Sequence, residues 1–395
     1  MITAGEGPIA PDERKPVPFR SSPSHPRPLR RIALRAGVGL TVLLALSGGA
    51  VPRSGLPPAA GAAHKPKVVV IGTGGTMAGV SEGRFTVQKY KPGQLPTARL
   101  IRDLQPEIGQ LADVRPVDFD DDTEAVTNLY DLSRQVDREL KTADAVVVTS
   151  GTNNLEEYAY WLDITVRSQK PVVVTGSLRP WTVVGSDAPM NLYTAVDLAA
   201  SGRTKCFGTV VTLNDQILGA REATKSDSQR VDAFKSRELG LLGTVDAGRV
   251  RLLRAPARVV DCAHPDRWRT PFDLARIRRN ALPTVEIVPT YLGAGGAPIT
   301  AAATAGARGI VVSGSPSPAQ QTAAMTQLEK GVVFVAAGNT TSGSVYPQTR
   351  PGLVSAGDLM PQKARLLLML GLASGANATQ IQDWFTRYGV PQFND

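Results

Sequence analysis

The feature that most constrains this chain is a run of β-branched residues that leads directly into glycines. Residues 68–71 are all valine or isoleucine, and residues 72–76 read Gly-Thr-Gly-Gly-Thr. Such a run is typical of a strand buried on both faces of a parallel sheet, and the glycines permit a sharp turn in which backbone N–H groups approach a ligand. Ligands of open α/β sheets bind at the carboxyl ends of the strands. Thr73 and Thr76 are therefore the first candidate reactive groups.

The same glycines suit two other interpretations. A dinucleotide-binding fingerprint would need glycine or alanine at position 77, where the chain has Met77. No Gly-Lys-Ser/Thr sequence follows, which excludes a Walker phosphate loop. A nucleotide-binding oxidoreductase is therefore disfavoured, whereas a plain strand-to-helix turn stays open from the spacing alone.

Length and charge place the chain among globular proteins. Its 395 residues are enough for two domains, and 42% are hydrophobic against 20% charged. The formal charge of +9 is divided: residues 1–63 hold 8 Lys/Arg and 3 Asp/Glu, and the remainder holds 36 and 32. The balanced remainder has no basic stripe with interleaved aromatic residues, so we expect no nucleic-acid surface.

Histidine and cysteine are scarce, which limits the possible chemistry. The three histidines are His25, His64 and His264, too few for a Ser–His–Asp, Cys–His or histidine-based zinc site. A hydrolytic nucleophile would have to depend on Thr, Tyr or Lys. Cys206 and Cys262 could form one disulfide in an exported protein, but two small buried apolar residues are the interpretation that the pattern favours.

The N-terminus has the organisation of an export signal. Residues 1–26 are rich in Pro, Ser and Gly, Arg30-Arg31 precedes an uncharged run over 36–52, and small residues follow at 60–62. We interpret residues 1–63 as a disordered segment and a secretory signal, with the arginine pair compatible with twin-arginine export. The protein is then expected to be secreted or periplasmic, and to contact the membrane only through this segment. An uncleaved N-terminal anchor is the alternative.

From residue 67 onward, apolar strands alternate with helical patterns, which predicts an α/β fold with a doubly wound parallel sheet. We place a catalytic domain at 66–255, a proline-containing linker at 256–281 and a smaller α/β domain at 282–395. Predicted strands are 68–71, 145–149, 171–175, 207–213, 284–288, 309–313 and 332–336, and residues 80–98 are predicted as a loop over the site.

Two neighbouring strand ends carry the same arrangement of glycine and threonine, at Thr76 and Thr152. Because such strand ends face one crevice, the two hydroxyls can meet there. A threonine hydroxyl needs a base, and Lys225, in the loop after the fourth strand, is the natural candidate if burial lowers its pKa. A solvated surface lysine is the alternative, and spacing alone favours it.

Several ordered segments from residue 67 to the C-terminus carry a resemblance. Residues 71–79 read Ile-Gly-Thr-Gly-Gly-Thr-Met-Ala-Gly and residues 150–157 read Ser-Gly-Thr-Asn-Asn-Leu-Glu-Glu; further matching segments are 176–180, 186–189, 191–193, 214–215, 223–225, 234–236 and 361–365. Together they resemble the bacterial-type L-asparaginase/glutaminase family over about four-fifths of the chain.

The resemblance implies a two-domain fold with a larger flavodoxin-like N-terminal domain, a homo-oligomer (dimer or tetramer), an amide substrate and no metal or organic cofactor. It implies that Thr76 is the nucleophile and that Thr152 and Lys225 form a supporting hydroxyl–amine pair. Backbone groups near Gly75, Gly151 and Ser177 would bind the substrate and stabilise the oxyanion.

Four departures from the family pattern affect the expected substrate pocket. Asn153 replaces the aspartate that pairs with the substrate's α-ammonium, and Phe85 stands where we place the flap tyrosine. The serine segment that holds the α-carboxylate aligns with residues 120–122, which include Asp121, and the glutamate that a neighbouring subunit adds has no match in residues 338–352. The pocket then recognises a free amino acid poorly. The sequence therefore predicts an amidohydrolase acting on L-asparagine or a related amide, with a catalytically weak or inactive amide-binding relative as the alternative.

Overall fold

Two sheets organise the described part of the chain. The computed structural model describes residues 65–120, 125–348, 352–390 and 392–393, so the predicted signal over residues 1–63 and the predicted site residue Asp121 lie outside it. None of the helices within these ranges has both the length and the hydrophobicity that a membrane crossing requires.

The strands in chain order are β1 (Lys67–Gly72), β2 (Val80–Ser81), β3 (Tyr90–Lys91), β4 (Asp113–Asp118), β5 (Ala145–Thr149), β6 (Val172–Thr175), β7 (Thr209–Leu213), β8 (Gln216–Gly219), β9 (Ala223–Lys225), β10 (Phe234–Ser236), β11 (Gly243–Asp246), β12 (Arg249–Leu252), β13 (Val285–Pro289), β14 (Gly309–Ser313), β15 (Val333–Ala337) and β16 (Leu353–Ser355). The α-helices are α1 (Thr97–Arg102), α2 (Glu107–Leu111), α3 (Val126–Glu139), α4 (Leu155–Thr165), α5 (Ala188–Ala200), α6 (Pro265–Trp268), α7 (Ala297–Thr304), α8 (Pro318–Leu328), α9 (Pro361–Ala373) and α10 (Ala378–Trp384).

In the described residues, the larger sheet has eight strands in the order β12-β11-β8-β7-β6-β5-β1-β4. The five strands from β4 to β7 are parallel, and β8, β11 and β12 extend the sheet antiparallel. Numbered along the chain, the parallel part has the flavodoxin-like order 2-1-3-4-5, in which β1 and β5 flank the switch point where ligands bind. The predicted doubly wound sheet is confirmed.

Residues 68–71 of strand β1 are all apolar because helices cover both faces of the sheet. Val68 and Val70 pack in one apolar cluster with Leu192 of α5, while Ile71 packs in another with Trp161 of α4. Alternate side chains of a strand point to opposite faces, so burial on both sides requires an unbroken apolar run.

The smaller sheet, β13-β14-β15-β16, is parallel in its described strands. Helices α7 and α8 cover one face through a cluster that includes Ile299 and Phe334. Helix α9 covers the other face, and its Leu366 belongs to the same apolar cluster as Trp161 of the larger sheet's helix α4. One hydrophobic core therefore runs between the two sheets.

The segment 256–281, predicted as a linker, packs against helices α3 and α4 on one face of the larger sheet and contributes buried Trp268 and Phe272. Cys262 of this segment forms a disulfide with Cys206, with Cα atoms 5.5 Å apart. The favoured sequence interpretation of two unpaired cysteines is thus wrong. The pairing depends on segment 256–281 folding back so that Cys262 approaches Cys206. The separation of 56 residues along the chain does not predict this approach.

Candidate active site

The turns after β1 and β5 approach each other closely, and glycine is what allows the approach. Gly75 has φ of +74°, and a Cβ atom built on it would lie 2.5 Å from the Cα and N atoms of Gly151. The strands are in register so that Gly72 pairs with Thr149, and the amide of Thr73 donates to the carbonyl of Thr149. The predicted residues Gly75 and Gly151 are therefore the contact point of the two turns.

The two candidate threonines follow these glycines and line one open cavity of about 820 Å³. Thr76 is 8% exposed and Thr152 is 6% exposed. Both lie at the carboxyl edge of the sheet beside the β1/β5 switch point, as the repeated arrangement of glycine and threonine predicts.

The hydroxyl of Thr76 has a phenol as its partner. Its Oγ1 atom lies 2.8 Å from the Tyr90 hydroxyl, and either oxygen can donate. Tyr90 begins β3, which pairs antiparallel with β2 to form a short hairpin inside the predicted loop 80–98. Gly79 leaves room for the ring, because a Cβ atom there would lie 2.8 Å from Cδ2 of Tyr90.

The assignment of Phe85 to the substrate pocket is therefore corrected. Phe85 is 83% exposed at the tip of the β2–β3 hairpin and is not among the residues that line the cavity. Tyr90 is instead the aromatic residue whose hydroxyl lies beside Thr76. The hairpin folds back so that residue 90, five positions further along, reaches Thr76.

Thr152 has an amine as its partner. Lys225 Nζ donates to Thr152 Oγ1 at 3.1 Å and to Asn153 Oδ1 at 2.9 Å. Lys225 is only partly exposed, and burial lowers the pKa of its amine from the ordinary 10.5, with Asp227 opposing the shift. The alternative of a fully solvated surface lysine does not describe this position.

The cavity wall carries few charges. Among the described lining residues, the charged side chains are those of Asp118, Asp120 and Lys225. The Asp118 carboxylate accepts hydrogen bonds from the backbone amide and the hydroxyl of Thr97, at 2.8 and 2.6 Å. The described part of the chain contains no group of three or more His, Cys, Asp or Glu residues that could hold a metal ion.

Ser177 does not lie at the cavity surface. It is fully buried, and its hydroxyl donates to the carbonyl of Arg179 at 2.8 Å. The turn around it is held by Asp187, whose carboxylate accepts from the amides of Leu178 and Arg179. Ser177 thus belongs to the support of the third strand end, and Leu178 is the residue that lines the cavity.

The family now follows from the sequence comparisons. Residues 67–258 match the family model described as Asparaginase, N-terminal, and residues 284–385 match the Glutaminase/Asparaginase C-terminal domain. The chain is 36% identical over 345 residues to L-asparaginase 2 of Bacillus subtilis, covering 82% of this chain and 87% of the relative. The chain belongs to the asparaginase family.

Two further relatives of this asparaginase family member differ in the compartment that their names give. This chain is 35% identical over 341 residues to a protein of Haemophilus influenzae named probable L-asparaginase periplasmic, covering 82% of this chain and 94% of the relative. It also resembles the crystal structure of a probable cytoplasmic L-asparaginase from Campylobacter jejuni, with a TM-score of 0.75 and 34% identity. That alignment covers 82% of this chain and all of the other.

Proposed function

We propose that the chain hydrolyses the side-chain amide of L-asparagine, or of a closely related compound, to a carboxylate and ammonia. Homologues named as asparaginases support an amidohydrolase of this family. One observation carries the assignment of roles: two buried threonine hydroxyls at one cavity each have a partner able to move a proton, Tyr90 for Thr76 and Lys225 for Thr152.

In the first step, Thr76 Oγ1 attacks the carbonyl carbon of the amide. The proton of the hydroxyl passes by way of the adjacent Tyr90 oxygen to the amide nitrogen. The C–N bond then breaks, ammonia is released, and the acyl group remains on Thr76 as an ester. Backbone N–H groups of the turn containing Gly75 are suited to the developing oxyanion, a contribution worth about 3–4 kcal/mol in other hydrolases.

In the second step, water cleaves the ester and regenerates the Thr76 hydroxyl. The Thr152–Lys225 pair is suited to orient and deprotonate this water, because a lysine with a lowered pKa holds more neutral amine near pH 7. Asn153 accepts from the same amine and fixes its direction without adding a negative charge.

The charges of the pocket bear on which amide is preferred. An asparagine side chain beside Lys225 gives weaker attraction to an ammonium group than a carboxylate would, while Asp120 adds negative charge to another part of the wall. We therefore propose that free L-asparagine is a weaker substrate than an amide whose charges differ from those of a zwitterion.

Ammonia release by the chain beginning at residue 64 tests the proposal. The panel is L-asparagine, L-glutamine, succinamate, which lacks the α-amine, and 3-aminopropanamide, which lacks the α-carboxylate. Turnover that disappears in Thr76→Ala supports the enzyme. Faster turnover of L-asparagine than of either truncated amide contradicts the proposal that free L-asparagine is the weaker substrate.

The competing function is an amide-binding protein that does not hydrolyse its ligand. Asn153 is the feature that still favours it, because the phenol of Tyr90 lies beside Thr76 and Phe85 no longer counts against catalysis. It predicts no ammonia release from any of the four compounds, together with a rise in Tm when one of them is added. The same protein preparation serves for both measurements.

We further propose that the protein is exported and forms a homo-oligomer. The Cys206–Cys262 disulfide is of a kind that persists in oxidising compartments. Tyr291 and Leu292 are apolar residues exposed on the loop after β13, as expected of a surface that a second copy covers. Mass measurement of the mature protein recovered outside the cytoplasm tests export, and light scattering during gel filtration tests the oligomer.

A further inference from the structure

A fully buried lysine outside the cavity connects the two segments that carry the amine–hydroxyl pair. Lys363, in the first turn of α9, has 0% exposure and is not among the residues that line the cavity. A buried ammonium is costly unless it is hydrogen-bonded and compensated. Its surroundings therefore indicate why a lysine occupies this position.

On one side, Lys363 holds the backbone that leads to Lys225. Its Nζ atom donates to the carbonyls of Ala220 at 3.0 Å, Arg221 at 2.8 Å and Ala223 at 2.6 Å. An ammonium has three donors, so all are used. Ala223 is the first residue of β9 and Lys225 is the last, so the anchored backbone lies two residues from the amine that contacts Thr152.

On the other side, Lys363 faces the helix that follows Thr152. The Glu156 carboxylate lies 3.7 Å from Nζ, is largely buried, and its Oε2 atom has no hydrogen-bond partner. Glu156 belongs to the first turn of α4, which begins directly after residues 152–154. The attraction between the two charges therefore acts on the segment that carries the Thr152 hydroxyl.

We propose that Lys363 is a positioning residue that sets the geometry of the Lys225–Thr152 pair from outside the cavity. This inference rests on the proposed function, in which that pair serves the hydrolytic step. Lys363 lies at the start of α9, the helix that covers one face of the smaller sheet. A shift of that sheet would therefore move Lys363 and, through its contacts, the Lys225–Thr152 pair. Its role is to hold the two segments at the spacing that the 3.1 Å contact needs.

The charge of Lys363 is part of the argument. Burial lowers the pKa of its amine to about 8, while Glu156 and Glu222 oppose the shift and Arg221 and Arg237 add to it. An uncharged amine has only two donors, so the three carbonyls are fully satisfied by the protonated form alone. An apolar side chain of equal length would leave all three without this partner.

The first test compares Lys363→Met with Lys170→Met. Lys170 is the matched control because its Nζ also donates to backbone carbonyls, those of Leu140 and Ala143, and it is not among the residues that line the cavity. We expect Lys363→Met to lower kcat at least tenfold with KM changed less than threefold, and Lys170→Met to leave both within twofold. Equal losses in the two variants overturn the proposal.

A double variant separates positioning from general destabilisation. In a Lys225→Met background the pair no longer exists, so we expect Lys363→Met to lower the remaining activity by less than twofold. A further tenfold loss in that background shows that Lys363 acts elsewhere and contradicts the proposal.

A second pair of variants avoids the risk that Lys363→Met does not fold. Glu156→Gln removes the carboxylate that faces Lys363, whereas Glu157→Gln changes the next residue, whose carboxylate lies 3.7 Å from Arg365 instead. Both changes preserve shape. We expect Glu156→Gln to lower kcat about fivefold and Glu157→Gln to stay within twofold, and the reverse order overturns the proposal.

The pKa of Lys225, measured by the pH dependence of its labelling with acetic anhydride and mass spectrometry, needs no turnover. We expect it to rise in Lys363→Met, because the amine of Lys225 is held less firmly in the partly buried position that lowers its pKa. If the unaltered chain hydrolyses none of the amides, the proposed function fails, yet this measurement still tests the positioning role. An unchanged pKa in folded Lys363→Met overturns it.

Discussion

A threonine hydroxyl is a weak nucleophile at neutral pH, so what decides its reactivity is the group beside it. The two candidate threonines of the cavity have different partners, a phenol for Thr76 and an amine for Thr152. A phenol and a lysine ammonium have similar ordinary pKa values, but losing a proton turns the neutral phenol into an anion and the cationic ammonium into a neutral amine. The two positions are therefore suited to different proton transfers, and single substitutions distinguish them.

The Tyr90 assignment leads to a direct comparison of two aromatic residues. Tyr90→Phe removes only the oxygen that lies 2.8 Å from Thr76 Oγ1, so we expect kcat to fall roughly 100-fold, the lower range for loss of a proton-transfer group. Phe85→Leu alters an exposed residue outside the cavity and should leave kcat within twofold. Steady-state ammonia release measures both, and a larger effect at Phe85 would restore the original assignment.

The lowered pKa of Lys225 predicts the direction of the pH dependence. Burial disfavours the ammonium form, so the neutral amine that can accept a proton appears at lower pH than for an ordinary lysine. We expect kcat/KM to rise with pH as this amine deprotonates, and to level off below the ordinary lysine pKa of 10.5. In Lys225→Met this rise should be absent from the pH profile, and its persistence would assign it to another group.

At the scale of elements, the sequence predicts best those strands whose burial is complete. The predicted strands 145–149 and 171–175 correspond to β5 and β6, because central parallel strands need continuous apolar residues. Strand β4 was not predicted: it lies at the sheet edge and contains Pro116, which an edge strand tolerates.

The site could be predicted only where local sequence determines it. The glycine–threonine turns identified Thr76 and Thr152, and their strand order brings them together. Tyr90 was missed because its position depends on a hairpin with two-residue strands, too short to leave a periodic pattern. Lys363 was missed as a functional candidate because its contacts join segments about 140 residues apart.

The glycine contact between the two turns can be tested against a second glycine. Gly75→Ala places a Cβ atom 2.5 Å from the Gly151 backbone and also strains a φ of +74°, whereas Gly202 has φ of +66° with nothing within 4 Å. Strain alone costs about 1–2 kcal/mol. We expect Gly202→Ala to show only that cost in urea unfolding, and Gly75→Ala to be less stable still and to lose activity. Equal losses of stability would show that the turns can separate freely.

At the scale of the whole molecule, the disulfide ties the segment between the two sheets to the larger one. It links positions 56 residues apart, and neither cysteine is among the residues that line the cavity. Closing a loop of this length stabilises a protein by about 2–4 kcal/mol. We expect the Cys206→Ser, Cys262→Ser double variant to have a Tm several degrees lower with kcat within twofold. Unchanged Tm would mean that the packing of Trp268 and Phe272 suffices.

The apolar core that Trp161 of α4 shares with Leu366 of α9 has a consequence for how the chain can be divided. If the polypeptide were interrupted after the disulfide-bonded Cys262 and before residue 284, each half would present an uncovered apolar face to water. We expect either half produced alone to aggregate, and the two produced together to associate into an active, non-covalent complex that co-purifies through a tag on one half. Such a split protein would report on proximity, because amide hydrolysis would return only when its halves meet.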